Sequence, residues 1–245
     1  LPATKLASYC YYEMFSGCTA LTSAPKLPAE SLASYCYQGM FLDCTALTKA
    51  PEELPATTLA EACYTQMFDG CTALTTAPTL LAETLASGCC DEMFGGCIAL
   101  TKAPALTATK LAVGCYNKMF SGCKSLETAP ELPAETLADG CYSEMFSGCT
   151  ALETAPELPA ETLAPYCYQC MFQNCSALQS VRIKAKPVFD AQNEGNLSFQ
   201  IMEYANCFDG WLDGAGSDNP KIYCYQEFYD FITVASKLEL TLCPG

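Results

Sequence analysis

The sequence contains no histidine and far fewer basic than acidic side chains. Without histidine, serine–histidine and cysteine–histidine catalytic pairs and histidine-ligated metal sites are excluded. The 12 lysine and arginine residues face 27 aspartate and glutamate residues, so the formal net charge is −15 at pH 7. Because nucleic-acid binding needs a basic surface, this balance argues against a nucleic-acid partner.

Long apolar runs are also missing, and the absence of an 18-residue apolar stretch argues against a transmembrane span in this chain. No signal peptide is recognisable, and the chain starts at Leu1 without methionine. We expect Leu1 to be a trimmed boundary, with earlier repeats, another domain or a lipid anchor upstream. With 51% hydrophobic residues, the chain has enough apolar side chains to form a core.

An internal repeat with a period of 26 residues dominates the sequence. Seven units share the pattern L-x-A-x-x-L-A-x-x-C-x-x-x-M-F-x-x-C-x-x-L, and one step is a residue longer because of Glu52-Glu53. The units begin at Leu1, Leu27, Leu54, Leu80, Leu106, Leu132 and Leu158. A period of this length predicts a solenoid, in which each unit buries its apolar face by stacking on its neighbours.

Each unit has two parts, which the second unit illustrates. Apolar side chains from Leu32 to Phe41 recur at i, i+1, i+4, i+5, i+8 and i+9, which predicts a short amphipathic helix. The threonine-rich second part ends at Pro51 and predicts a short strand. Strands stacked at roughly 4.8 Å form a parallel sheet, so helices about 10 Å wide must fan outward. We therefore predict a right-handed, curved α/β solenoid with the parallel sheet on its inner face and short helices outside.

The segment C-Y-x-x-M-F-x-G-C-T-A-L, followed by an L-P step, resembles the BspA-like bacterial leucine-rich repeat. In the first unit the equivalent residues are Cys10 for the family's isoleucine, Met14-Phe15 for its Ala-Phe, Cys18 for its cysteine and Leu21 for its next leucine. The match recurs in all seven units, although Cys-Tyr replaces the usual Ile-Gly. The resemblance implies a secreted or surface-anchored protein of anaerobic bacteria that binds or adheres rather than catalyses.

We divide the chain into a leucine-rich-repeat solenoid, residues 1–183, and a C-terminal capping region, residues 184–245. The repeat pattern ends at this boundary. The end of a solenoid exposes its core and needs a cap, for which Trp211, Phe228 and Phe231 are available.

Fourteen of the 19 cysteines lie in two columns, one for each cysteine of the repeat pattern. Both columns share the phase of the apolar positions, so we interpret them as buried free thiols, which behave as small hydrophobes. Disulfides between or within units, and a metal array, are the alternatives. The C-x-x-C pair Cys167 and Cys170 has no second pair to complete a zinc site, so we expect no metal and no cofactor.

Candidate binding residues stand at positions that the core does not constrain. In the fifth and sixth units glutamate stands where earlier units have threonine or lysine, apart from Glu52, and stacking is expected to bring Glu127 near Glu153 and Glu131 near Glu157. Like charges stacked across a sheet cost energy unless a cation or a partner offsets them. These residues form either a solvated acidic face or a docking strip for a basic partner or a weak Ca²⁺ site.

Tyr9, Tyr35 and Tyr166 stand where other units have alanine or glycine, so they are candidates for exposed contacts with sugar or protein. Glycosidase-like catalysis is disfavoured, because carboxylates on an exposed stripe of similar units lack the difference in burial that separates their pKa values. We predict a non-catalytic binding or adhesion module, secreted or at a bacterial cell surface, that recognises a protein through its repeat surface. The alternatives are glycan or mucin capture and a structural spacer that presents another domain.

Overall fold

The computed structural model describes residues 1–185, 206–216, 220–224 and 242–243. The seven repeat units form a stack of rungs, numbered in chain order, and each rung is hydrogen-bonded in register to the next. Every rung has a turn segment on one side and a strand segment on the other. The turn segments are residues 7–18, 33–44, 60–71, 86–97, 112–123, 138–149 and 164–175.

The strand segments form two parallel sheets, joined by isolated parallel bridges such as Thr128↔Thr154. The first sheet has the order β1-β2 and the second the order β3-β4-β5-β6. The strands are β1 (Glu53–Leu54), β2 (Thr79–Leu80), β3 (Thr154–Leu158), β4 (Ser180–Ile183), β5 (Lys221–Tyr223) and β6 (Leu242–Cys243). All strand pairs are parallel, which confirms the predicted pairing, while the right-handed curvature stays a prediction.

The predicted outer helices are wrong, because the described residues of the turn segments contain no helix. Alternate backbone N–H groups donate to the carbonyl three residues earlier, as Cys10 N does to Ala7 O over 3.3 Å. The other N–H groups donate to the next rung, as Tyr11 N does to Cys36 O over 3.0 Å. Each turn segment is therefore a chain of β-turns whose remaining hydrogen bonds run between rungs.

A four-residue period explains this conformation. Every fourth residue of a turn segment has a positive φ, for example Glu92 (53°) and Gly96 (62°). A positive φ at the third residue is the requirement of a type II turn, and it favours glycine at these positions. Two side chains of each four point inward and two outward, so the spacing i, i+1, i+4, i+5 fits stacked turns as well as a helix. Stacked turns also match the narrow rung spacing, so they need not fan outward as helices about 10 Å wide must.

The core consists of side-chain columns that run along the stack. Phenylalanine rings stack from Phe15 to Phe172 with centroid separations of 5.4–5.8 Å. A parallel tyrosine column is interrupted in the fourth rung by Cys90. From the second rung onward its tyrosines are at most 2% exposed, so this column belongs to the core.

The cysteine columns are buried, as predicted, except at Cys10 and Cys18 in the first rung. The cysteines within residues 1–185 and 206–216 are free thiols. In the second column each thiol from the second rung onward donates to a phenylalanine carbonyl of the preceding rung, as Cys97 Sγ does to Phe68 O over 3.1 Å. Burial raises the pKa of Cys97, so the thiol keeps its proton and its role as donor. Cysteine at this position therefore supplies both apolar volume and a hydrogen bond.

An eighth turn, residues 206–216, continues the stack beyond the seventh rung. Phe172 N donates to Trp211 O over 2.8 Å, which repeats the bond between earlier rungs. Trp211 is fully buried, with its ring centroid 6.5 Å from Phe172 and 4.9 Å from Phe208. Trp211 therefore covers the end of the phenylalanine column, which is the role expected of a capping residue.

Several expectations about the C-terminal part stay open. The boundary at residue 183 stays a prediction, and Phe228 and Phe231 lie outside the described residues.

Across the described part of the chain, no helix has the length and apolar character needed to cross a bilayer.

Candidate binding surfaces

The first surface is the acidic strand face, which we define as Glu127, Glu131, Glu153 and Glu157. All four side chains are exposed. Glu153 N donates to Glu127 O over 3.4 Å, so these two residues stand next to each other in neighbouring rungs, as predicted. Among the described residues, no basic side chain forms a salt bridge with Glu127, Glu131 or Glu153. The face therefore presents three carboxylates whose charge is not offset by a salt bridge.

Glu157 differs from the other three because basic residues of the next rung stand beside it. Its carboxylate lies 3.2 Å from Lys184 Nζ, and it is aligned with Arg182 in the pairing of β3 with β4. The repeat pattern did not reveal this pairing, because the seventh unit departs from the earlier ones at these positions. The part of the acidic strand face without salt bridges is therefore shorter than the sequence suggested.

An open depression of about 520 Å³ adjoins Glu157 on the strand side. Its polar lining residues are Thr154, Glu157, Ser180, Arg182 and Tyr223. The guanidinium carbon of Arg182 lies 5.1 Å from the centre of the Tyr223 ring, in a cation–π contact. This end of the strand side therefore carries both signs of charge.

The candidate tyrosines are divided between the two ends of the stack. Tyr9 and Tyr35 stack with ring centroids 4.7 Å apart and planes inclined by 2°. Tyr35 Oη donates to Glu61 Oε1 over 2.9 Å, while Tyr9 is 56% exposed. Tyr166 stands at the same position in the seventh rung, five rungs after Tyr35, and is 45% exposed. The three tyrosines therefore do not form one continuous stripe.

A groove of about 330 Å³ lies on the turn side between these ends. We call it the turn-side groove, and its lining residues are Gly88, Asp91, Val113, Gly114, Asn117, Asp139, Gly140, Ser143 and Tyr166. A β-carbon added at any of its three glycines meets no atom within 4 Å, so the groove exists because side chains are missing there. Sequence reasoning singled out the tyrosine but missed the groove. The sequence signal for the groove is glycine in three consecutive units at the position that Tyr166 occupies in the seventh unit.

The side chains of the turn-side groove carry negative charge. Asp91 accepts a hydrogen bond from Asn117 Nδ2 over 2.8 Å, and burial raises the pKa of Asp91 in spite of that bond. Asp139 is exposed at the rim. The described lining contains no lysine and no arginine. The groove is therefore suited to a ligand that donates hydrogen bonds.

A second acidic group lies on the turn side, around Asp69. Burial and the nearby carboxylates of Glu92 and Asp43 raise the pKa of Asp69 to about 6. Gln66 Nε2 donates to Glu92 Oε2 over 2.8 Å and so holds one of these carboxylates. Within the described residues, no group of three or more histidine, cysteine, aspartate or glutamate side chains is arranged to hold a metal ion.

Comparison with known proteins gives one structural likeness. No known family model matches the chain, and no curated protein matches it. The chain is similar to a leucine-rich repeat protein from Bacteroides ovatus, at 13% identity and a TM-score of 0.29, over 95% of this chain and 86% of that one. A TM-score this low supports no conclusion about fold or function. The surfaces described above are therefore the basis for assigning a function.

Proposed function

We propose that this chain is a non-catalytic binding module that recognises a protein with a basic surface through its acidic strand face. The supporting observation is that Glu127, Glu131 and Glu153 are exposed in neighbouring rungs and form no salt bridge with the described residues. Like charges in neighbouring rungs, roughly 5 Å apart, repel each other even in water. Because the core does not require acid at these positions, the repulsion favours a role in binding.

We place the module outside the cell, secreted or on a bacterial surface. The support is the resemblance of the repeat to BspA-like leucine-rich repeats, quoted above. An anaerobic habitat fits the free thiols of the core, because oxidising compartments favour disulfides. Adhesion to a host protein or to another cell is the role that this placement suggests.

Glycan or mucin capture is the second candidate. It is favoured by Tyr9, whose ring is 56% exposed at the edge of the stacked pair with Tyr35. Exposed aromatic rings suit ligands that have both an apolar and a polar side, as sugars do. A structural spacer is the third candidate, and for it none of these surfaces is needed.

A binding screen with charge-matched variants tests the proposal. The purified chain is screened against host matrix proteins and against glycans, and each hit is measured by surface plasmon resonance. The strand-face variant changes Glu127, Glu131 and Glu153 to glutamine. The control variant makes the same change at three exposed glutamates outside the acidic strand face, Glu30, Glu83 and Glu135.

We expect the strand-face variant to weaken binding of a basic protein roughly tenfold, since exposed ion pairs contribute about 0.2–1 kcal/mol each. The control variant has the same net charge and is expected to keep most of the affinity. Equal weakening by both variants would mean that only overall charge matters, and the proposal would fail. If the chain instead binds a glycan, and the Tyr9→Ala variant loses that binding, glycan capture replaces the proposal.

A further inference from the structure

The turn-side groove contains a tyrosine in a backbone conformation that is costly for it. Tyr166 has φ 56°, and the equivalent glycines of the three preceding rungs have φ 58°, 59° and 57°. Glycine adopts this left-handed conformation readily, whereas a bulky side chain with φ above zero is strained. Tyr166 is 45% exposed, and its side chain has no stacking or hydrogen-bonding partner among the described residues. The same position has a positive φ in every rung, including Tyr9, Tyr35 and Ala62, so the conformation belongs to the scaffold, and the feature available for binding is the exposed ring of Tyr166.

The groove offers acceptors but few donors. The glycine N–H groups of its floor already donate to the next rung, as Gly114 N does to Asp139 O over 2.9 Å. Its acidic side chains are those of Asp91 and Asp139, with no lysine or arginine in the described lining. A fitting ligand therefore donates hydrogen bonds and carries positive charge. An arginine side chain has five donors and no acceptor, and its planar group stacks on aromatic rings.

The chain itself contains one such arrangement on the strand side. Arg182 lies over the Tyr223 ring at 5.1 Å, and its pairing partner in the neighbouring strand is Glu157. A guanidinium, a tyrosine ring and a carboxylate are therefore already combined on this scaffold. In the turn-side groove the ring and the carboxylates are present. Lys118, whose charge acts on Asp91, is paired with Glu144 and is not a lining residue, so Asp139 is the carboxylate left for a ligand.

We infer that the turn-side groove binds an arginine side chain from an extended segment of a protein partner. The guanidinium stacks on Tyr166 and pairs with Asp139, while the partner's backbone lies over the floor formed by Gly114 and Gly140. The absence of side chains at these glycines lets the backbone approach closely. The inference rests on the proposed function, because it takes the partner to be a protein with a basic surface.

An NMR titration with short capped peptides tests this inference. The probe is Gly-Gly-Arg-Gly-Gly, and the matched probe has citrulline, which keeps the shape of arginine but lacks its charge. We expect saturable shifts at the amides of Gly88, Gly114 and Gly140, and an affinity on the order of tenfold lower for the citrulline peptide. A disaccharide series is titrated in parallel.

The chain offers a blocking variant and a matched control. Gly140→Tyr fills the floor with a residue that the same backbone position already carries at Tyr35, where φ is 60°. Ala62→Tyr adds a tyrosine at the same rung position but outside the groove lining. We expect binding to be lost in Gly140→Tyr and kept in Ala62→Tyr. If Gly140→Tyr does not fold, Tyr166→Ala and Asp139→Asn serve instead, with Tyr166→Phe as the variant that keeps binding.

The outcomes separate the groove from the acidic strand face. Equal binding of the arginine peptide by wild type and by the blocking variants overturns the inference. Shifts at the same glycines that are stronger with a neutral disaccharide assign the groove to glycans and overturn it as well. If a partner protein is weakened by the strand-face variant but not by the groove variants, the proposed function stands and this inference fails.

Discussion

Truncation of Phe94 tests the stacked-turn core most directly. Its ring is fully buried and stacks on Phe68 at 5.5 Å and on Phe120 at 5.7 Å. Phe94→Ala opens a cavity inside the column, and such changes cost about 3–5 kcal/mol. Because two ring contacts are lost together, we expect a value in the upper part of this range.

The first rung supplies the control for this experiment. Phe15 is only partly buried and has one ring neighbour in its column, Phe41 at 5.6 Å. We expect Phe15→Ala to cost less than half as much as Phe94→Ala. Urea unfolding is followed by far-UV circular dichroism and by fluorescence of Trp211, the single tryptophan, which reports on the C-terminal end. Rungs contact only their neighbours, so the two signals separate if the stack unfolds in parts.

The result that refutes this reasoning is a loss below about 1 kcal/mol for Phe94→Ala, since a buried phenylalanine cannot be removed so cheaply. Equal losses for the two variants contradict it too, because they would mean that the first and fourth rungs are packed alike.

Three further predictions concern the thiols, the pH dependence and the acidic strand face. In the denatured, unreduced chain we expect a thiol reagent to find at least the 14 cysteines of the two columns, whereas in the native chain Cys10 and Cys18 react first because they are exposed. Mass spectrometry that finds disulfides between column cysteines contradicts this. The pKa of Asp69 is raised to about 6, so the folded chain binds more protons than the unfolded chain. The free energy of unfolding therefore falls as pH rises from about 4 through about 6, and Asp69→Asn is expected to flatten this slope in urea titrations at several pH values; an unchanged slope rules out Asp69 as its source. The strand-face variant is expected to melt at the same or a higher temperature than wild type, because it removes repulsion between like charges. A markedly lower melting temperature, measured with and without millimolar Ca²⁺, would show that these carboxylates are structural.

The buried columns could be predicted from the sequence, but the backbone conformation could not. The repeat identified the positions of Cys36, Tyr37, Met40 and Phe41, all of which are buried. Their spacing fits a helix of 3.6 residues per turn nearly as well as turns with a period of four. The signal against a helix is weak: glycine stands in the middle of the segment at Gly39, where φ is 59°, but six of the seven units have another residue at that position.

The surfaces were less predictable because they depend on what the neighbouring rungs supply. Glu157 could be identified as exposed, but its pairing with Lys184 requires the register of the seventh rung. The turn-side groove requires knowing that Gly88, Gly114 and Gly140 share one column without side-chain neighbours. Sequence periodicity gives the phase of each residue, whereas a groove depends on the side chains of several rungs together.

The hydrogen bonds between turn segments make the stack electrically polar. In each turn segment the peptide groups that link rungs point the same way, with N–H toward the next rung, as in Phe94 N to Met119 O over 2.9 Å. In the strand segments the direction alternates, since Ala24 N donates to Lys49 O and Thr48 N donates back to Thr22 O. The dipoles of the strand side therefore largely cancel, while those of the turn side add up as they do in a helix.

This polarity makes the two ends of the stack chemically different. The first rung presents a row of carbonyl oxygens, because its linking N–H groups are used by the second rung. The eighth turn lies at the positive end, where the exposed carboxylates of Asp209 and Asp213 are favourably placed. Turn segments that meet with their carbonyl sides together bring acceptors against acceptors and gain no hydrogen bonds. On the turn side, a rung that stacks against such a row of carbonyl oxygens has to bring a row of donors, so turn segments can stack in one direction only.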